Sequence, residues 1–195
     1  MAITTDDVKK LREETGISVM KCKEALEEAG GDADKARAIL QRKSKDAVKK
    51  KQDRDLGAGR IAAYVHTTKT VGVLVELSCE TDFVAKNDEF VLLAYDIAMH
   101  IAAMNPQYRS IDEVSEEERA SVRDMFAAEF EDKPKEVREK ALEGKVASHF
   151  SERVLLEQSF VKDPDRTVRN LVEQAVQKFG ERIEVTRFTR YEVGA

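Results

Sequence analysis

The sequence predicts an α+β fold: a small three-helix module, then a core of antiparallel sheet packed with helices. Three observations carry this expectation. Apolar residues recur at helical spacing in three short segments before residue 42. The stretches "VGVLVELSC" and "RIEVTRFTRYEV" alternate apolar and polar side chains, the period of a strand with one buried face. Strand-like stretches also stand at both ends of a block of helical ones, rather than alternating with them singly.

The helical module opens the chain. Thr5 is the expected N-cap of its first helix, with Val8 and Leu11 on one face and Gly16 at the end. Ser18 is placed to cap a second helix, in which Cys22, Ala25, Leu26 and Ala29 fall at helical spacing. In "GGD", Gly30 or Gly31 stops that helix, and Asp32 caps a third striped by Ala36, Ile39 and Leu40. "RKSKDAVKKKQDRD", Arg42 to Asp55, has almost no apolar residues. It reads as a solvated extension of the third helix or as a linker. Residues 1–55 hold 14 basic and 12 acidic side chains and the remainder 19 and 26, so the charge balance changes sign here. The expected division is a three-helix module with charged linker over 1–55 and an α+β core over 56–195.

In the core, "RIAAYVH", the polar turn "TTKT" and "VGVLVELSC" predict a hairpin. A helix is expected from about Asp88 to Met104, apolar on more than one side and stopped by "NPQY". Ser115 in "SEEER" resembles the start of a capping box. "KPKEVREKALEGK" predicts a helix with Pro134 near its first turn and Gly144 near its end. "VLLEQSFV" is a strand candidate, Thr167 to Phe179 a helix stopped by Gly180, and "RIEVTRFTRYEV" the last strand.

Composition excludes several classes of function. With 195 residues, 42% of them hydrophobic, the chain can bury a core for one medium domain or two small ones. A net charge of −5 is neither that of a strongly basic nucleic-acid binder nor that of an acidic tail protein. "MAITTDDVKK" has no apolar run of a secretory leader, and no stretch approaches the roughly 20 apolar residues of a membrane span. The expected location is the cytoplasm, with Cys22 and Cys79 as reduced, buried thiols. Cys22, Cys79, His66, His100 and His149 never approach metal-ligand spacing, so no metal or other cofactor is expected. No nucleophile elbow or Walker motif occurs. "GAG" at Gly57 to Gly59 lacks a third glycine and precedes a strand rather than a helix. "KDAVKKK" could track phosphates, but Asp46, Asp53 and Asp55 interleave with the lysines and no aromatic lies nearby for base stacking.

One connection stands out. "SCETDFVAKND", Ser78 to Asp88, places an acid and an aromatic, Asp82 and Phe83, between a strand and a helix. In one reading Thr81 or Asp82 caps a helical turn and Phe83 folds back beside Phe90. In the other, Asp82 and Phe83 project from the strand end into another protein, where an aromatic seated in a pocket is a typical anchor.

"TDFVAKN" resembles the signature of the elongation factor Ts family, bacterial translation factors that exchange nucleotide on elongation factor Tu. "LREETGISVMKCKEALEEAGGD" resembles the family's N-terminal signature, in a module of ubiquitin-associated type. "KPKEVREKALEGK", "SFVKDPDRTV" and "TRFTRYEVG" resemble its C-terminal region. The likeness covers nearly the whole chain in order, without room for the second core subdomain and coiled-coil insertion of longer members. It is similar to the short type, which forms homodimers that bind two partner molecules. Some short members link the dimer through a cysteine near the C-terminus; this chain has none there, so a dimer is expected to be noncovalent.

The resemblance implies an exchange factor without covalent chemistry, binding both GDP-bound and nucleotide-free elongation factor Tu, with no direct nucleic-acid or membrane contact. It implies that Thr81, Asp82, Phe83 and Val84 form the element that wedges into the partner's G domain and disturbs its magnesium site. It implies a second contact from the N-terminal module through Val19, Met20 and Lys23, with Val19 standing where the family has a second methionine. It implies a third contact from His100, Val161 and Lys162, although a lone histidine on an apolar helix is also what a hydrogen-bonded core residue looks like. Two rivals of other classes are a ubiquitin-associated-like adaptor, which docks proteins without speeding GDP release, and a ribosome or RNA binder using Lys43 to Arg54.

Overall fold

The computed structural model describes residues 3–132 and 134–194; Lys133, which opens the predicted segment "KPKEVREKALEGK", lies outside them. Three helices come first, α1 Thr5–Thr15, α2 Val19–Glu28 and α3 Ala33–Lys49. The cap of α1 is Thr4, not the expected Thr5. The Thr4 hydroxyl oxygen accepts from Asp7 N at 3.2 Å, and Asp7 accepts from Thr4 N at 3.0 Å, closing a capping box. Counted from Thr5, the reciprocating position falls on Val8, which has no acceptor to offer. Gly16 ends α1 at φ 66°, a left-handed conformation that costs glycine little. Val8, Leu11, Ile17, Cys22, Ala25, Leu26, Ala36 and Leu40 form the module's buried cluster.

The charged stretch after residue 42 continues α3 to Lys49. One of its faces is not solvated: Ser44 is buried, and Ala47 and Val48 pack against the second apolar cluster. Leu40, Ser44, Ala47 and Val48 make a helical stripe hidden among lysines by the small size of its middle members. The stripe seats α3 on α8, Val168–Phe179.

The main sheet has three antiparallel strands in the order β1-β2-β5: Ala58–Val65, Val71–Cys79 and Ile183–Glu192. Val73, Val75, Leu77 and Cys79 of the central strand are buried beneath α5, Asp88–Met104, and α8. Gly59 has a steric reason: a Cβ there would lie 2.7 Å from Leu77 O. The opposite face of the sheet stays open and carries Ile61, Val65, Leu74 and Tyr191, all exposed.

Two expectations fail here. "VLLEQSFV" is mostly a 3-10 turn at Leu155–Glu157, followed by a two-residue strand β3, Ser159–Phe160, that pairs with β4, Asp163–Thr167, apart from the main sheet. Val154 and Leu155 are both buried although adjacent, which an alternating strand with one buried face does not allow. Gly144 does not end its helix: α7 runs Lys135–Ser151 and packs on α6, Glu116–Ala127. Leu142, Val146 and Phe150, four residues apart, pack inward and carry the helix past a glycine that costs about 1 kcal/mol relative to alanine. Pro134 is the N-cap of α7 and Ser115 that of α6. Among the described residues, no helix is long and apolar enough to cross a membrane.

Candidate functional site

The connection after β2 folds into one helical turn, α4, Asp82–Ala85. Thr81 is its N-cap: the hydroxyl oxygen accepts from Val84 N at 3.5 Å, and Ala85 N donates to Thr81 O at 3.1 Å. Asn87 caps the next helix at once, accepting from Glu89 N at 2.9 Å. In a single turn, adjacent residues lie 100° apart, so neighbours pair by face. Val84 and Ala85 take the inner face and are buried; Asp82 and Phe83 take the outer one. Phe83 is 84% exposed, the most exposed large apolar side chain of the described residues. Phe90, beside which it could have folded, instead packs against Phe179 with ring centroids 6.2 Å apart. The structure therefore selects the projecting arrangement and combines it with the cap of the other reading.

Of the four residues expected in this element, Asp82 and Phe83 are presented outward, and Thr81 and Val84 hold them. Among the described residues the Asp82 carboxylate meets only Lys86, at 3.3 Å on the surface. The Thr81 hydroxyl donates to Glu181 Oε1 at 2.6 Å, and Thr81 N and Glu80 N donate to Glu181 Oε2 at 3.0 and 3.1 Å. The Glu80 carboxylate in turn accepts from Arg182 N and from Arg54. Burial works to raise the Glu80 carboxyl, but these bonds outweigh it and hold the group below the usual carboxylate range. Glu80 and Glu181 were not among the predicted site residues. The partners lie 100 residues apart, and the only sequence signal is an acid directly after the helix-stopping Gly180. Cys79, just before this loop, is inert: burial, with the Glu181 carboxylate nearby, pushes its thiol up to about 11.

Val19 and Met20 sit at the first turn of α2, both exposed, while Lys23 pairs with Glu27 at 3.8 Å on the same helix. This turn and the start of α5, separated from α4 by two residues, flank the same place, the C-terminal turn of α8. Lys21 Nζ donates to Gln177 O at 3.1 Å from one side. From the other side Glu89 pairs with Lys178, and Phe90 packs on Phe179. The fold thus gathers two of the predicted patches around one helix end.

The third patch lies apart. His100 is twelve residues beyond Asp88 on α5, roughly 18 Å along the helix axis at 1.5 Å per residue. Its side chain has no exposure. Nδ1 accepts from Val161 N at 3.2 Å, which leaves Nε2 to donate to Gln158 Oε1 at 3.0 Å. Burial holds the imidazole below its ordinary pKa. In this arrangement His100 is unavailable for contact with a partner; it supports Val161, which is exposed at the β3–β4 turn. Lys162 is tied to Asp96 of α5 at 2.7 Å. The basic residues of 42–54 are similarly engaged in part, Arg42 and Lys43 with Glu28 and Arg54 with Glu80. Among the described residues, no group of three or more His, Cys, Asp or Glu side chains is arranged to hold a metal ion.

A model of the family described as elongation factor TS matches residues 47–195. Over 197 residues the chain is 47% identical to "Elongation factor Ts" of Herpetosiphon aurantiacus, all of both chains being covered. It is 46% identical over 195 residues to "Elongation factor Ts" of Thermodesulfovibrio yellowstonii and 45% over 194 residues to that of Thermotoga petrophila, in each case with all of this chain and 98% of the relative covered. The full-length matches extend the likeness to the three-helix module, which the family model leaves out.

Proposed function

The chain belongs to the elongation factor Ts family, and from that premise we propose that it is a guanine nucleotide exchange factor acting on elongation factor Tu in the cytoplasm. The observation that carries the reading is Phe83, an aromatic ring standing in water on a turn capped at both ends. Moving such a ring into an apolar pocket stabilises a complex by roughly 1.5–3 kcal/mol. Because α4 is already ordered, little of that gain is spent on ordering it.

Phe83 inserts between helices of the partner's G domain, and Asp82 approaches the elements that hold its magnesium ion. Magnesium demands near-ideal octahedral coordination, so a small displacement of its ligands weakens GDP binding. No bond is made or broken. The factor binds the nucleotide-free partner more tightly than the GDP-bound one, and by linkage GTP binding expels it. Val19 and Met20 add a second apolar contact around the end of α8, with Lys23 at their border. Val161 and Lys162 add a third, with His100 acting from behind Val161. On this reading residues 1–55 and 56–195 are two units that grip one partner.

The protein acts as a homodimer. β5 is an edge strand, but Arg109 already donates to Val185 O and Thr186 O, covering part of that edge. The open sheet face with Ile61, Val65, Leu74 and Tyr191 is the better candidate, two copies packing face to face and without a disulfide. Sedimentation tests this: Leu74→Lys, in the middle of that face, is expected to run as a monomer where the unaltered chain runs as a dimer. Exchange is tested by stopped-flow release of labelled GDP from elongation factor Tu. Strong acceleration by the unaltered chain is expected; binding without acceleration favours an adaptor and removes the reading.

A further inference from the structure

We propose that Glu181 is a positioning residue for exchange, fixing the direction in which Phe83 leaves the fold; this rests on the reading of Phe83 as the inserted ring. β2 ends at Cys79, the last residue of its ladder with β5, opposite Ile183. Glu80 and Thr81 join it to α4, and their amides serve neither sheet nor helix. One carboxylate takes both, and the Thr81 hydroxyl as well. A carboxylate has about four acceptor sites, so three donors can be held at once.

The arrangement fixes more than the backbone. With its proton given to Glu181, the Thr81 hydroxyl turns a lone pair to Val84 N and so becomes the cap of α4. Phe83 stands two residues further on. Glu181 is itself held on both sides. Gly180 before it is left-handed at φ 75°, its amide bonded to Val176 O at 3.0 Å, and Ile183 two residues later is buried in β5. The return contact runs from Arg182 N to the Glu80 carboxylate, so the two loops exchange acceptors. Val84 and Ala85 are buried in the core rather than against Glu181, so the turn is expected to survive the loss of Glu181 while its direction loosens.

The test is GDP release from elongation factor Tu at rising concentrations of the factor. Glu181→Ala is expected to lower the maximal release rate roughly tenfold, the scale of losing a carboxylate's hydrogen bonds. The half-saturating concentration is expected to move less, because the α2 contact is intact, and thermal unfolding to move by only a few degrees. Glu181→Gln keeps an oxygen for the two amides and an NH2 for the Thr81 hydroxyl oxygen, and is expected to recover most of the rate. In a Phe83→Ala background, Glu181→Ala is expected to add nothing. An undiminished maximal rate in Glu181→Ala, with Phe83→Ala impaired, overturns the positioning role and leaves the wedge standing. A full further loss in the double variant, or no recovery with glutamine, also overturns it. Unimpaired exchange by Phe83→Ala removes the wedge and this proposal together.

Discussion

Phe83 and His100 have burial opposite to their chemistry: the apolar ring stands in solvent, and the titratable one has no exposure at all. Both follow from position. Phe83 lies in a single turn whose inner face is already filled by Val84 and Ala85, so helical geometry forces it out. His100 lies three residues after Ile97 and next to Ile101, on the buried side of α5, where Gln158 and Val161 N supply its bonds. A side chain offered to a partner must leave its neighbours satisfied without it. Phe83 does so, whereas removing His100 leaves the buried Gln158 amide oxygen and the partly buried Val161 N without that bond. The two regions therefore predict opposite outcomes for the same kind of substitution.

The largest separation is expected for Phe83→Ala. Losing a well-seated aromatic anchor costs about 2 kcal/mol or more of complex stability, roughly thirtyfold in exchange efficiency. Thermal stability should hardly change, since the ring contributes little to its own fold. A large fall in melting temperature instead means that Phe83 packs at home, and the contrast with His100 disappears.

His100→Ala should reverse the pattern. Leaving the Gln158 amide oxygen and Val161 N unpaired costs about 1–3 kcal/mol, a fall of several degrees in melting temperature for a chain of this size. Its pH dependence sharpens the test. The folded pKa lies below the ordinary 6.5 because burial disfavours the charge, and protonating Nδ1 breaks the bond from Val161 N. Above pH 6.5 both states are neutral and nothing is lost. Below it the unfolded chain takes up a proton that the folded one refuses, so stability falls until the lower, folded pKa is passed. Denaturant unfolding at pH 7.5 and 5.5 should show a larger loss for the unaltered chain than for His100→Gln. Equal losses mean that His100 is not the group that titrates.

Much of this was legible in the chain itself. The bounds of α5 and the stop of α8 at Gly180 are local signals, readable within four residues, and the start of α8 was legible to within one residue of its Thr167 cap. So was the exceptional character of Asp82 and Phe83. What escaped was non-local. The Leu40–Ser44–Val48 stripe has meaning only when α8 lies beneath it. Glu181 is an ordinary acid until Thr81, 100 residues away, is beside it. The burial of His100 follows a visible period, but Gln158, which makes that burial tolerable, comes from a segment that reads as a strand candidate and folds mostly as a turn.

The smallest effect is expected for Asp82→Ala, and it tests the division of labour within α4. The carboxylate is exposed and pairs with Lys86, an i,i+4 surface pair of the kind that contributes about 0.3–0.5 kcal/mol. The cap from Thr81 is independent of it, so folding should be unaffected. Water can stand in for an exposed carboxylate more readily than for a ring, so the loss in GDP release should be a few-fold, well short of the Phe83→Ala loss. If the carboxylate works by disturbing the partner's magnesium ion, the deficit should narrow in magnesium-poor buffer, where that ion is already loosely held. A deficit independent of magnesium assigns Asp82 a plain electrostatic contact, which raised salt should weaken in step with screening. A deficit larger than that of Phe83→Ala would reverse the roles of the two side chains, with the ring as support and the charge as the element that opens the site.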